Sequence, residues 1–302
     1  MNFIKIPCSC CGKEFDKLLY EYNRRLKKNE NHKFVCTDED CDIRVDSLTP
    51  FRQLLKKRRH GYNINVIRRK TDYPFEIDAP FLKNLYDKQE GLCSISKLKL
   101  TLPRHQLTQG GLFAASIDRI NNNKGYVEGN VQILNSFMNM AKNTFNDNEI
   151  RDFCQWWKEG AAPKPIDNGS TLQQSVSLLM TNARNAILGK VKKCKGRSLT
   201  ITQDQLAKLW ERQNGVCNIT GIEMQLPGNK RNRIPKCPRL VSVDRIDNDK
   251  GYTIDNIHLV CLAINYGRKN ANVADFLEYV ESFTALRVPQ PQLSPLSISQ
   301  IK

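Results

Sequence analysis

The sequence predicts an α+β protein, in which a small N-terminal module precedes two tandem copies of one domain that form a pseudo-dimer within a single chain. The main observation is an internal repeat, because residues 116–143 align without a gap with residues 242–269 at a constant offset of 126. A Ser, an Asp-Arg-Ile, a Lys-Gly-Tyr and two later Asn residues fall in register in both segments. Polar residues repeated at fixed spacing around a Gly-Tyr turn indicate two copies of a site, since core packing alone does not explain them.

The predicted domain boundaries follow changes in composition. The N-terminal module covers residues 1–48, the first copy covers 49–159 and the second copy covers 174–287. Residues 160–173 are rich in Pro, Gly and Ser and are therefore predicted to be a linker. The C-terminal segment 288–302 contains three prolines and little to pack, so we expect a disordered tail.

Composition limits the functional classes open to the chain. It has 302 residues, a formal net charge of +16 and no apolar run near the ~20 residues that a membrane span needs. This charge favours a polyanionic partner, and we expect double-stranded DNA; a merely basic protein or one that touches acidic lipid is the alternative. The odd number of cysteines, 11, favours reduced thiols and a metal cluster over disulfides, and hence an intracellular, cytoplasmic protein.

The N-terminal module carries two close pairs of cysteines. Cys8 and Cys11 form a C-x-x-C followed by a glycine, and Cys36 and Cys41 are separated by four residues. Four thiolates suit tetrahedral Zn²⁺, and a segment this short has little core without a metal. Cys10 is an alternative ligand for the first pair, and four buried cysteines without a metal are the structural alternative.

A second stretch of the repeat precedes the motif, since residues 74–96 align with residues 198–220. Each stretch has apolar residues at the spacing of an amphipathic helix, with Asp78 and Thr202 at the position of the helix N-cap. We expect the glycine after each helix to open a short strand.

Clusters of basic residues accompany both copies. We interpret them as contacts to the phosphate backbone of DNA, although a charge run can also be a solvated face. The candidates in these clusters are Arg58, Arg59, Arg68, Arg69, Lys192, Lys193, Arg231 and Arg233.

Each motif is predicted to form a β-hairpin closed by a helix. The first strands are predicted at 115–120 and 241–246, and the second strands at 131–134 and 257–260. Apolar residues at core spacing follow the second strand and indicate the helix.

Each copy also brings one carboxylate and one amide to the same groove. Asp118 and Asp244 end the first strand, and Asn139 and Asn265 lie on the first turns of the helix. One carboxylate and one amide oxygen suit a hard cation that keeps most of its waters, such as Mg²⁺. The remaining positions on such an ion can accept a phosphate oxygen and a leaving group.

These residues resemble a known family. The pattern D-R-I-D-N-D-K-G-Y-x3-N-x8-N-x2-R of the second copy is similar to the HNH nucleases, also called ββα-metal or His-Me finger nucleases. The N-terminal C-x-x-C-G is similar to the zinc knuckle of many phage-type members, and the resemblance covers residues 1–48, 50–158 and 174–285. It implies two tandem ββα-metal (HNH-like) domains and a divalent-metal-dependent DNA endonuclease, in a bacterial or phage-like context.

The resemblance also implies a role for each matching residue. The metal ligands for Mg²⁺ or Mn²⁺ are Asp118, Asn139, Asp244 and Asn265. The residues that brace the loop between strand and helix are Asn130 and Asn256. The residues that contact the scissile phosphate and the adjacent DNA are Lys142, Arg268 and Lys269.

The residue after each motif aspartate departs from the family pattern. Most HNH nucleases have the catalytic His there, whereas this chain has Arg119 and Arg245. A guanidinium stays protonated at working pH, so it is a poor base but a good clamp for phosphate. The sequence does not decide among the candidate general bases, which are Tyr126, Tyr252, His258 and His105.

Three functions are open at this point. The first is a site-specific endonuclease of homing or restriction type, active as a monomeric pseudo-dimer with one site for each strand. The second is a zinc-containing DNA-binding protein in which one or both copies have lost catalysis. In the third, one copy nicks and the other only positions the DNA. Asn121 stands where the second copy has Asp247, so the first copy would be the degenerate half.

Overall fold

A computed structural model describes residues 3–7, 14–18, 23, 47–69, 73–103, 111–167, 169–188, 198–228 and 234–286. The predicted features that lie outside these residues are Cys8, Cys11, Cys36, Cys41, His105, Lys192, Lys193, Arg231, Arg233 and the tail 288–302. For Arg68 and Arg69 only the helical backbone is described. The zinc module therefore stays a prediction.

Two short strands of the N-terminal module pair with each other. β1 (Phe3–Pro7) and β2 (Glu14–Leu18) run antiparallel, with Phe3 opposite Leu18 and Pro7 opposite Glu14. The residues that connect them in the sequence include the first cysteine pair.

Helices and strands follow the same order in the two copies. The first copy contains α1 (Thr49–Arg69), α2 (Ala79–Lys88), β3 (Ala115–Arg119), β4 (Val131–Asn135), α3 (Ser136–Lys142) and α4 (Asp147–Glu159). The second copy contains α5 (Leu172–Leu188), α6 (Gln203–Arg212), β5 (Val241–Arg245), β6 (Ile257–Cys261), α7 (Leu262–Arg268) and α8 (Val273–Thr284). The predicted motif strands agree with these strands to within one residue at each end. No helix in the described part of the chain is long and apolar enough to cross a membrane.

Each copy has a two-stranded antiparallel sheet at its centre. Asp118 of β3 lies opposite Gln132 of β4, and Asp244 of β5 lies opposite His258 of β6. All residues of β4 and β6 are buried. The described chain is therefore mixed α and β, and its cross-strand pairs determine which side chain each aspartate meets.

The predicted helix N-caps are confirmed. The Asp78 carboxylate accepts a hydrogen bond of 2.8 Å from the backbone N–H of Phe81. Thr202 and Gln205 form a capping box, in which each side chain binds the backbone N–H of the other residue.

The short strands predicted after α2 and α6 are not formed, and this prediction was wrong. Residues 91–96 make a tight turn instead, with one isolated bridge from Leu92 to Lys99. The second copy has the matching turn, with an isolated bridge from Val216 to Glu223. The chain reverses too quickly there for a ladder of backbone hydrogen bonds to form.

The Lys-Gly-Tyr turn needs its glycine because another backbone segment crosses it closely. A Cβ added at Gly125 would lie 2.2 Å from Pro74 O, and one added at Gly251 would lie 2.3 Å from Ser198 O. No side chain fits at these distances, so packing of the turn explains the glycine in both motifs.

The two copies pack against each other through α3 and α7. The Phe137 ring lies on Gly267, where an added Cβ would come within 2.7 Å of the ring. Phe137 also stacks on Tyr279 with 4.2 Å between ring centroids, and Trp157 lies 4.2 Å from Phe283. Buried residues of both copies form one continuous hydrophobic core, so the two motifs belong to one folded unit.

The linker is docked on the second copy. Arg239, which is buried, donates to the carbonyls of Pro163 and Lys164. The Gln225 side chain donates to Ile166 O at 3.0 Å and accepts from Ile166 N at 2.7 Å. The predicted linker is therefore anchored to the second copy by hydrogen bonds at its centre.

Candidate active site

The two motif aspartates lie near the end of the first strand of each sheet, where their side chains are nearly buried. Asp118 is 7% exposed and Asp244 is 5% exposed. The carboxylate meets Gln132 in the first copy and His258 in the second. The two copies thus present the same acid to different partners.

A buried cation accompanies each aspartate. Lys142 Nζ lies 2.9 Å from Asp118 Oδ2 and donates to the carbonyl of Arg119 at 2.6 Å. Arg268 contacts Asp244 in the same way and donates to two carbonyls at or just beyond the end of β5. Lys142 is 0% exposed and Arg268 is 2% exposed. The structure therefore places both cations beneath the strand end, where they offset the carboxylate charge. Their burial does not support the predicted contact of these two residues with a scissile phosphate.

Burial and pairing balance differently at the two carboxylates. Burial raises the pKa of Asp118 above its usual value, and the Lys142 ammonium opposes this only in part. Burial by itself would also raise the pKa of Asp244. The hydrogen bond with His258 and the charge of Arg268 outweigh burial there, so the pKa of Asp244 lies below its usual value. The second copy therefore favours the ionised carboxylate more strongly than the first.

His258 is held on both sides in the second copy. Its Nε2 lies 3.0 Å from Asp244 Oδ2, and its Nδ1 lies 3.2 Å from the side-chain nitrogen of Asn218. An amide nitrogen can only donate, so Nδ1 is the acceptor and the ring proton lies on Nε2, facing Asp244. With both nitrogens engaged, His258 orients the carboxylate and is not placed to take a proton from water.

The first copy replaces this histidine by a network without an imidazole. Gln132 Nε2 donates to Asp118 at 3.0 Å and also to Asp147. Arg151 donates to Gln132 Oε1 at 3.1 Å, to Asp147 at 2.6 Å and to the carbonyl of Ser94 at 3.1 Å. This network holds Asp118 in place through a neutral amide and a neighbouring ion pair.

The helical asparagines are anchored in the same way in both copies. Asn139 Nδ2 donates to Ser116 Oγ at 2.6 Å, and Asn265 Nδ2 donates to Ser242 Oγ at 2.8 Å. Each nitrogen also donates to a carbonyl of the first strand. Because the nitrogen is engaged and each residue is partly exposed, the amide oxygen is the atom available to a ligand.

The middle asparagines brace the turn between the two strands, which corrects the predicted position between strand and helix. Asn130 Nδ2 donates to Gly125 O at 2.8 Å, and Asn130 Oδ1 accepts from Asn121 N at 2.9 Å. Asn256 makes the matching contacts in the second copy. Both residues are buried, so their contacts maintain the turn and do not face a substrate.

The arginines that follow the aspartates are partly exposed and fold back over the turn. Arg119 Nη1 donates to Lys124 O at 3.0 Å, and Arg245 Nη1 donates to Lys250 O at 3.0 Å. Each guanidinium carbon lies 5.2 Å from the ring centroid of the motif tyrosine. This packing holds a permanent positive charge over each turn, at the end of the strand that carries the aspartate. The predicted role of these arginines as phosphate clamps stays a prediction.

The motif tyrosines make packing contacts in both copies. Tyr126 is 2% exposed, and its hydroxyl accepts a hydrogen bond from Arg58 Nε. Tyr252 is half-buried beneath the Arg245 guanidinium. The Tyr126 hydroxyl is buried and already accepts a hydrogen bond, so it is poorly placed to take a proton from water.

The donor atoms suit a hard divalent cation better in the second copy than in the first. Asp244 brings an ionised carboxylate and Asn265 an available amide oxygen, both of them ligand types that Mg²⁺ takes. In the first copy the raised pKa of Asp118 disfavours the form that binds a cation. Lys142 and Arg268 compete with a metal, because each already offsets its aspartate. The described residues contain no group of three or more His, Cys, Asp or Glu side chains that could hold a metal.

The predicted DNA-binding residues whose side chains the structure describes differ in exposure. Arg59 of α1 and Lys269 just after α7 are exposed, whereas Lys142 and Arg268 are buried. Arg58 is half-buried and points toward the first motif.

Sequence reasoning missed several residues that complete the site, namely Asn218, Asp147, Arg151, Ser116 and Ser242. The two serines occur in register in both motifs, so the repeat already contained a signal for them. The others differ between the copies and are brought to the site only by the fold.

Comparisons of the chain with protein-family models, with curated proteins and with solved structures found no match. The family resemblance therefore rests on the motif residues, and a function has to be argued from the geometry of the two sites.

Proposed function

We propose that the chain is a divalent-metal-dependent DNA endonuclease whose second copy hydrolyses the phosphodiester bond. The observation that carries this proposal is the hydrogen-bonded chain from Asn218 through His258 to Asp244. It supplies an oriented, ionised carboxylate, and Arg245, the next residue of the strand, supplies a fixed cation at the end of the same strand; phosphodiester hydrolysis can use both. The net charge of +16 supports DNA as the substrate.

In this proposal the residues of the second copy act by binding and by orienting. Arg245 contacts a non-bridging phosphate oxygen and stabilises the negative charge that grows during attack by water. His258 fixes the rotamer of Asp244 through its Nε2 proton, and Asn218 fixes the imidazole ring. Asp244 and Asn265 would hold the divalent cation, which when bound supplies Lewis acidity and charge stabilisation at the phosphate.

The first copy binds DNA without cleaving it in this proposal. Its Gln132 cannot orient and polarise Asp118 as an imidazole does, and burial raises the pKa of that carboxylate. A chain with one hydrolytic site nicks one strand of a duplex at each binding event.

A second candidate function, a DNA-binding protein without hydrolysis, is favoured by the buried cations. Lys142 and Arg268 already offset the aspartates in both copies, as a structural ion pair would. In that case the motif maintains the fold of two DNA-binding surfaces.

The test is cleavage of supercoiled plasmid with Mg²⁺ or Mn²⁺ by the wild type, Asp118→Asn and Asp244→Asn. We expect nicked circles from the wild type and from Asp118→Asn. For Asp244→Asn we expect the rate of nicking to fall by about 100-fold or more. Asp255→Asn is the matched control, because Asp255 is an exposed carboxylate of the same copy and should not affect the rate.

The products of this cleavage assay distinguish one active copy, two active copies and a DNA-binding protein without hydrolysis. A wild type that cleaves no DNA with any of the metals supports the binding protein. Linear product from the wild type, with only nicking by either single variant, supports two active sites. Thermal unfolding of each variant separates lost chemistry from lost folding, since both substitutions leave a buried cation with a neutral partner.

A further inference from the structure

Two buried thiols lie in contact in the second copy. Cys217 is in the turn after α6, and Cys261 is the last residue of β6. Cys217 Sγ accepts a hydrogen bond of 3.3 Å from the backbone N–H of Cys261, and the two side chains are hydrogen-bonded to each other. Thr220 adds a backbone N–H 3.5 Å from Cys217 Sγ and a hydroxyl 3.9 Å from Cys261 Sγ. The two sulfur atoms are therefore held side by side by hydrogen bonds.

These contacts favour a thiolate at Cys217 and a thiol at Cys261. Burial by itself would raise the pKa of Cys217, but hydrogen bonds from Cys261 and Thr220 outweigh burial and bring that pKa below its usual value. Burial, and then the hydrogen bond to Cys217, raise the pKa of Cys261 well above its usual value. Because the thiolate is the nucleophile in thiol oxidation, Cys217 is the sulfur that reacts first.

The first copy replaces one of these two thiols. Cys93 stands at the position of Cys217, but Asn135 stands at the position of Cys261. Asn135 Oδ1 caps α3 by accepting a hydrogen bond of 2.8 Å from Met138 N, whereas Cys261, at the N-cap of α7, makes no side-chain cap hydrogen bond. Asparagine is among the best residues for a helix N-cap, so helix stability does not explain the second thiol.

The thiol pair adjoins the hydrogen-bonded chain of the proposed active site. Asn218, which binds His258 Nδ1, directly follows Cys217, and His258 lies on the same strand as Cys261. Asn218 and Gly221 of the turn are exposed, so a local opening of this turn is enough to admit a small oxidant to Cys217. A change at the thiol pair therefore acts on the residue that orients the imidazole.

We propose that Cys217 and Cys261 are a redox-sensitive thiol pair, which hydrogen peroxide converts to a disulfide and a thiol reductant restores. The Cys217 thiolate attacks one oxygen of the peroxide, which forms a sulfenic acid and releases the other oxygen as hydroxide. The Cys261 sulfur then displaces the hydroxyl group from Cys217 Sγ, so that an S–S bond forms and the Cys261 proton leaves with that hydroxyl as water. Two electrons pass from the two sulfur atoms to the peroxide.

The disulfide shifts the turn that carries Asn218 and weakens the hydrogen bond from Asn218 to His258. The second copy then loses the support that orients Asp244, and its activity falls until the thiols are reduced again. Only this fall in activity rests on the proposed function, because the disulfide and its effect on His258 depend on the fold alone.

The first test maps the disulfide in the full chain, which is treated with hydrogen peroxide, alkylated without reductant and digested with trypsin. Residues 213–230 and 251–268 are tryptic peptides with one cysteine each, and we expect to find them linked. Dithiothreitol should separate them, and Cys217→Ser or Cys261→Ser should abolish the link. The matched control is peptide 89–97, which carries Cys93 and should stay unlinked.

Two results of this mapping would overturn the thiol pair. One is that peptides 213–230 and 251–268 stay unlinked in the oxidised wild type. The other is that Cys93 is oxidised as fast as Cys217. Both results come from the wild-type chain, so they do not depend on the folding of any variant.

The second test follows the histidine. We expect disulfide formation to shift the His258 imidazole resonances in the NMR spectrum, which are identified by their loss in His258→Gln. We also expect plasmid nicking to fall by about tenfold or more. Dithiothreitol should reverse both changes, and Cys261→Ser should show neither of them after peroxide treatment.

The two readouts separate this inference from the proposed function. Unchanged His258 resonances in the linked protein would overturn the effect of the disulfide on the active site. A wild type that cleaves no plasmid would overturn the proposed function, while the linked peptides and the imidazole resonances would still decide the thiol pair.

Discussion

Phe137 of the first copy lies directly on Gly267 of the second copy. The nearest ring atoms would be 2.7 Å from a Cβ at position 267, so only glycine leaves room for the ring. The repeat places Ala263 at the position of Phe137 and Ala141 at the position of Gly267. The contact therefore joins a large residue of one copy to the smallest residue of the other, and neither copy could make it with a second copy of itself.

Gly267→Ala should destabilise the chain by about 1–3 kcal/mol, because the added methyl group overpacks the interface between α3 and α7. Gly61→Ala is the matched control, since a Cβ at this α1 position would meet nothing within 4 Å. It should be neutral or stabilising by up to about 1 kcal/mol. Urea unfolding measures both values, and a Gly267→Ala variant as stable as the wild type would contradict the observed packing.

Lys142→Met should cost about 3–5 kcal/mol, because it leaves the Asp118 carboxylate buried without its cation. Adding Asp118→Asn should recover a large part of that loss. Denaturant unfolding of the two single variants and the double variant gives the coupling energy directly. If Lys142→Met were no worse than a typical surface substitution, Lys142 would have to lie at the surface in solution.

His258→Gln gives the second copy the residue that the first copy has at this position. We expect plasmid nicking to fall by about 10–100-fold, because a neutral amide orients and stabilises the ionised Asp244 less well than the imidazole does. DNA affinity measured in EDTA should stay unchanged, since His258 is buried behind the strand end. A parallel loss of affinity would show that the substitution disturbs the binding surface and not only the carboxylate.

Gln225→Ala should release the linker from the second copy. The substitution removes two hydrogen bonds with Ile166 and should cost about 1–3 kcal/mol. Limited proteolysis under native conditions should then cut faster between the copies, while Gln155→Ala, at an exposed residue of α4, should digest like the wild type. Unchanged cutting in both variants would mean that Gln225 does not hold the linker.

Local patterns in the sequence were enough to predict the elements of each motif. Apolar periodicity predicts the strands and helices, and the caps at Asp78 and Thr202 follow from side chains that act within three residues. The prediction of short strands after α2 and α6 was wrong because local sequence does not determine the path of the chain there. A glycine before two or three apolar residues looks the same whether the chain continues or reverses.

The sequence by itself determined that a polar motif occurs twice and which acid and amide each copy contains, because identity and spacing are properties of the chain. Only the tertiary structure decided what those groups meet. It buried Lys142 and Arg268 under the strand ends, set His258 against Asp244 across one sheet and brought Arg58 to Tyr126 from a distant helix. Such contacts depend on strand register and helix packing, and these are settled by burial of apolar surface far from the motif.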